Sequence, residues 1–138
     1  MARFFKFSEL IVTNTGLPNI PNWDGIEHLE TLAAFLDNVR RIYGKPIRVN
    51  CAYRSKDVNE AVGGVATSAH LKGLAADICA WSGSEKDNRL LLKVLESQMS
   101  KIDQLIPYFS KAGNPDYTIR FIHVGLSEGV PRQQKLYK

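Results

Sequence analysis

Leu74 to Ala80 is a run of small and apolar residues with a single carboxylate, Asp77, at its centre. Its length and composition fit a buried strand, where an unpaired carboxylate is costly. A metal ion resolves that cost, and the sequence offers further ligands for one. His70 stands seven residues earlier, in Ser68-Ala69-His70-Leu71-Lys72-Gly73-Leu74-Ala75-Ala76-Asp77, and His123 lies in the β-rich run Phe121-Ile122-His123-Val124. Two imidazoles and one carboxylate leave a coordination position open. That pattern belongs to catalytic zinc, which lowers the pKa of water to about 7 and polarises a carbonyl. The chemistry expected is hydrolysis, with zinc as the prior, since such a site accepts several divalent ions.

The rest of the chain reads as a frame for these strands. Asp24 can cap a helix running to about Tyr43, with Leu29, Leu32, Ala33, Leu36, Val39 and Tyr43 as its apolar stripe and Gly44-Lys45-Pro46 ending it. Ile47–Tyr53 reads as a strand, and the turn at Arg54-Ser55 leads to a short helix over 57–62 that Gly63-Gly64 terminates. A loop then delivers Ser68 and His70. Ser84 with Asp87 resembles a capping box opening a helix to about Ser100, with Leu91, Val94 and Leu95 facing the core. Strands over 103–108 and 117–125 flank the turn-rich Gly113-Asn114-Pro115 and pair as an antiparallel hairpin. By strand alternation His123, Phe121, Ile119 and Tyr117 share one face, while Arg120 and Ile122 point the other way. Helices and strands without a regular βαβ repeat imply an α+β fold.

Composition excludes more than it identifies. The 138 residues, 44% of them hydrophobic, suffice for one core, and no linker divides them, so a single domain over 1–138 is expected. The basic and aromatic Met1–Phe7 segment is interrupted by Ser8 and Glu9 before a leader's apolar region develops, and no run approaches a membrane span. The expectation is synthesis in the cytoplasm without an export signal, and no membrane insertion. A net charge of +4 is scattered rather than patched, so nucleic acid is not expected as a partner. Cys51 and Cys79 fall on two strands. They can pair, though two buried thiols are the commoner outcome in an unsignalled chain, and Cys79, on the strand face of Asp77, is a reserve ligand set against its reading as a small core residue. His28, beside Glu27 and Glu30, reads as solvent-exposed.

The motif around His70 and Asp77, with Phe121–Val124 downstream, resembles the signature of zinc D-Ala-D-Ala carboxypeptidases of the peptidase M15 type, found in bacteria and their phages. Ala52-Tyr53-Arg54-Ser55, Asn59-Glu60-Ala61-Val62-Gly63-Gly64 and Asp103-Gln104-Leu105-Ile106 are similar to further segments of that family. The likeness runs from about Phe7 to about Gln134. It implies the fold shared with the Hedgehog signalling domain, an antiparallel sheet with helices mainly on one side. It implies His70, Asp77 and His123 as ligands of Zn2+, and a peptidoglycan stem or cross-link peptide as substrate. Action would follow release from the cell or occur within a phage particle.

The same resemblance assigns Arg54 to the cleft, where a guanidinium suits a peptide carboxylate or a developing oxyanion. Ser68 either hydrogen-bonds substrate or shapes its loop, and Gln104 shares the face of Tyr108 as a further substrate contact. Relatives supply a carboxylate base three residues before the last histidine or at the end of the Asp-Gln-Leu-Ile strand. Arg120 and Tyr108 occupy those places here, and neither is a base at neutral pH. Asp103 falls on the strand face opposite Tyr108 and reads as a structural acid, and Asp116 sits at a turn with the wrong parity. Tyr108 is left as a hydrogen-bond donor to an oxyanion. Two functions follow: a zinc peptidase, or a catalytically silent zinc-binding module for cell-wall recognition or phage structure.

Overall fold

The computed structural model describes residues 4–138, so Met1–Arg3, where the leader reading begins, lie outside it. Among the described residues four α-helices and five strands follow in the order α1 (Phe7–Leu10), α2 (Trp23–Tyr43), β1 (Ile47–Cys51), α3 (Lys56–Ala61), β2 (Ala75–Ala80), α4 (Glu85–Ser97), β3 (Gln104–Phe109), β4 (Ile119–Gly125) and β5 (Gln134–Lys135). The fold is α+β. The sheet runs β1-β2-β4-β3-β5, antiparallel throughout except for β5, which adds to β3 in parallel and makes the sheet mixed rather than purely antiparallel.

Helix α2 is capped by Asn22, whose side chain accepts from Gly25 N at 2.8 Å, rather than by Asp24, which falls in the first turn. Gly44, at φ +80°, closes the other end. The apolar stripe of α2 is buried: Leu29, Leu32, Leu36 and Val39 expose nothing to solvent, and each such side chain is worth about 1.5–3 kcal/mol. They join Leu91 and Leu95 of α4 against one sheet face, carrying Ile78, Leu105, Ile122 and Val124, in a continuous core. Ser84 caps α4 by accepting from Asp87 N, but the reciprocal half of the box is missing. The Asp87 carboxylate turns instead to Lys45 Nζ at 2.6 Å and Ser82 Oγ at 2.7 Å.

Two register shifts re-aim side chains on the sheet. One falls at Asn50, between the Val49–Ile78 and Cys51–Asp77 pairs. The other falls at Arg120, between the Tyr108–Phe121 and Phe109–Ile119 pairs. The second overturns the simple alternation expected along β4. Ile119 packs in the core with Ile122, while Arg120 is exposed, with its guanidinium 5.8 Å from the Phe121 ring. Both cysteines are free thiols, and Cys79 is half-buried with its sulfur 3.8 Å from Asn50 Oδ1. Among the described residues no helix is long and apolar enough to cross a membrane.

Candidate metal centre

The sheet face away from α2 and α4 carries the polar side chains, and its middle strands bring three of them to one point. Asp77 on β2 pairs in register with His123 on β4. His123 Nδ1 lies 2.9 Å from Asp77 Oδ1, and His70 Nε2 lies 3.3 Å from the same oxygen. The two imidazoles meet edge to face, with centroids 5.1 Å apart. One ligand atom from each of the three residues falls within 4.8 Å of the others. Cys79 does not join this group.

His70 arrives on a one-turn 3-10 helix, Ala69–Lys72, and its surroundings explain much of the motif around it. Ser68 Oγ accepts from His70 N at 3.2 Å and so starts the turn. Gly73 ends it at φ +76°, where an added Cβ would stand 2.8 Å from the backbone oxygen of Gly25 on α2. A side chain there meets both left-handed strain and a backbone collision. His28, expected on the surface, is instead half-buried and bonds through Nδ1 to Lys72 O at 2.7 Å, tying the turn to α2. His70 itself is 2% exposed, and its Nδ1 donates to Ala52 O at 2.5 Å. That bond keeps a proton on Nδ1, so in the neutral ring the lone pair is on Nε2, aimed at Asp77 and His123.

Arg54 closes the site from the turn after β1. Its Nη2 is 4.0 Å from Asp77 Oδ2, and its Nη1 donates to Asn59 Oδ1 at 3.1 Å. Buried Asn59, on α3, also donates to Val65 O at 2.9 Å and accepts Gly64 N on its backbone oxygen at 2.8 Å. A Cβ on Gly64 would fall 2.0 Å from Asn59 Oδ1 and 2.6 Å from Arg54 Nη1. The Asn59-to-Gly64 segment is thus a clamp on the guanidinium. Asn19 braces the same turn from the N-terminal loop, donating to Tyr53 O at 3.0 Å and accepting from Ser55 N at 2.7 Å. Neither asparagine is marked as a site residue by periodicity: Asn19 acts through contacts more than 30 residues away, and Asn59 through a turn that carries no helix or strand period. The Asn-to-Gly-Gly spacing was the one available signal.

A cleft of about 540 Å³ opens over β3 and β4 beside these residues, with Gln104, Tyr108 and Phe121 on its floor and Ser68 on its rim. The Tyr108 ring stacks on Phe121 with centroids 4.5 Å apart. Burial, reinforced by the Asp77 charge and opposed by Arg54, raises the Tyr108 pKa, so the phenol keeps its proton and serves as a donor. Gln104 Nε2 donates to Gln134 Oε1 of β5 at 2.8 Å. Asp103 precedes β3 and reaches the cleft edge, where Arg132 holds it through a forked contact with Nη2 at 2.9 Å. Asp116 sits in an exposed turn. The positions Arg120 and Tyr108 therefore present no carboxylate to the cleft.

Residues 4–124 match the family described as Peptidase M15. The chain belongs to the peptidase M15 family. No curated protein sequence matches it significantly. Family membership makes the chain a hydrolase of the metallopeptidase class, and the match covers the His70 turn, Asp77 and His123 alike. The donor set fits the metal such a peptidase requires. Ligand atoms about 2.0–2.2 Å from one zinc stand roughly 3.3–3.5 Å from each other in a tetrahedron, close to the spacings around Asp77 Oδ1. His70 Nε2 is buried and satisfies no hydrogen bond, an expensive state for a polar atom that a metal would relieve.

Without metal the cluster is held by charge. Burial pulls the His70 imidazolium down, but the Asp77 carboxylate outweighs it, with Cys51 assisting, and the pKa is raised to about 9. Burial likewise pushes Asp77 up, and the two imidazoles overcome this to hold its carboxyl well below the usual range.

Proposed function

We propose that the protein is a zinc-dependent peptidase of peptidoglycan, cutting stem or cross-link peptides, with His70 Nε2, Asp77 and His123 Nδ1 holding the metal. The observation that carries this reading is the buried, unpaired Nε2 of His70, fixed by the bond from Nδ1 to Ala52 O and aimed at the other two donors. When bound, zinc supplies a Lewis acid that polarises the scissile carbonyl and makes water nucleophilic near neutral pH.

The chain's own residues supply the remainder. Arg54, clamped by Asn59 at the cleft wall, offers its guanidinium to the negative charge that develops on the carbonyl oxygen. Tyr108 faces the same cleft and, keeping its proton, donates a second hydrogen bond there. Ser68 and Gln104 border the space a peptide occupies. Action falls on the wall after release from the cell or within a phage particle, and the whole chain works as one domain.

One observation favours a second reading, a silent zinc-binding module of the wall or of a phage particle. Among the described cleft residues the only acids are Asp77, committed to the imidazoles, and Asp103, committed to Arg132. Zinc content and wall digestion, measured together, separate the two. One zinc per chain with peptide release supports the peptidase. One zinc with no release from several wall types supports the module, and absence of zinc binding overturns both.

A further inference from the structure

A second cleft, of about 430 Å³, lies on the other side of the metal centre, and the sheet order fixes that side. The larger cleft stands over β4 and β3. The smaller one stands over β1, which flanks β2 on the opposite edge. Its walls are Thr13 and Asn14 of the N-terminal loop, Asn50 and Cys51 of β1, Val58 of α3 and Val62 just past that helix. Arg54 and Asp77 line both clefts, so the centre sits at their junction. Each volume is that of an ordinary ligand pocket.

The irregularity in β1 bears on this cleft. The register shift at Asn50 sets two residues, Asn50 and Cys51, against Asp77, so both line the cleft. A regular strand would send alternate side chains to opposite faces. The chemistry of the two clefts also differs. Apart from the shared Arg54 and Asp77, the β1 side holds only amide, hydroxyl, thiol and aliphatic groups. The β3 side adds the Arg132–Asp103 ion pair and Lys138.

We propose that the β1-side cleft is a second substrate subsite, which takes an uncharged, small-side-chain stretch of a peptide that continues over β3. The bond presented to the metal centre is then an internal one, with chain bound on both sides. This rests on the peptidase reading and deepens it: a remover of single terminal residues needs room for only one residue on one side of the metal, whereas both clefts here have the volume for more.

The test uses the zinc-loaded full chain with two probes, a cross-linked stem-peptide dimer and the dipeptide D-Ala-D-Ala, too short to fill both clefts. Asn50→Trp fills the β1-side cleft from an exposed position outside the metal ligands, and Asn14→Trp fills it from the opposite wall. Alkylation of Cys51, followed by mass spectrometry in a Cys79→Ser background, reports occupancy whether or not the probe is cut. The dimer is expected to slow Cys51 alkylation while the dipeptide does not. Either Trp variant is expected to lose about ten-fold in kcat/KM on the dimer, about 1.4 kcal/mol, with zinc content unchanged. Dimer cleavage unaffected by both variants, with Cys51 alkylated at its free rate, overturns the subsite and leaves the peptidase reading standing. Protection without cleavage upholds the subsite and removes the catalytic reading. Neither protection nor cleavage overturns the subsite as well.

Discussion

Three side chains, His70 and Asp77 from one motif and His123 from 46 residues beyond Asp77, carry the central claim, and their protonation makes it testable by pH. Without metal, the His70 pKa of about 9 lies above the unfolded value of 6.5. Its stabilisation is therefore complete below about pH 6.5 and is lost as pH rises through 9. Asp77 works in the opposite sense: its depressed pKa stabilises above the unfolded value of 3.8 and is lost as pH falls below that. Zinc needs neutral His70, so protons compete with metal over the same interval. The thermal midpoint of metal-free protein should fall between pH 6.5 and 9, while the increment added by zinc grows. A metal-free midpoint that rises across that interval would contradict the charged cluster. Arg54 is tested separately. Arg54→Lys keeps the charge but loses the planar fork, and should reduce kcat by about 10²-fold or more with zinc stoichiometry intact. Equal activity in the Lys variant would remove the guanidinium from the oxyanion role.

At the scale of elements, short connections rather than long helices position the chemistry. The 3-10 turn holding His70 is fixed by Ser68, Gly73 and His28, and the clamp on Arg54 is made by α3 and the glycines after it. Gly64→Ala should push Asn59 and Arg54 apart, costing about 1–3 kcal/mol of stability as an overpacked contact and lowering kcat, while the circular dichroism spectrum and zinc content stay unchanged. Wild-type activity in that variant would show the clamp to be dispensable. Gly73→Ala should cost at least as much stability, since it combines a left-handed φ with a backbone contact at 2.8 Å, and should also weaken zinc binding. Denaturant unfolding and metal titration check both effects.

Over the whole molecule, legibility followed the range of the interactions. The stripe of α2, the strand holding Asp77 and the pairing of β3 with β4 were readable because periodicity and turn residues state them locally. So was the convergence of His70, Asp77 and His123 as positions, since a motif and a strand face named them. The sites of failure share a cause. Ile119 was placed on the wrong face because alternation breaks at the Arg120 shift, and β5, two residues long, is too short to have a pattern. His28 and Asn19 act through partners that only the folded chain brings near, 44 residues away for His28 and 34 for Asn19, whereas the partners of Asn59 are five and six residues off but follow no helix or strand period.

The most direct measurement is release of D-amino acids and peptides from purified peptidoglycan by zinc-loaded protein, beside its chelated form and the His123→Ala variant. A zinc peptidase predicts release by the loaded protein alone, abolished by chelation, restored by added zinc, and absent in His123→Ala. Release that survives both chelation and the loss of His123 would contradict the metal centre proposed here.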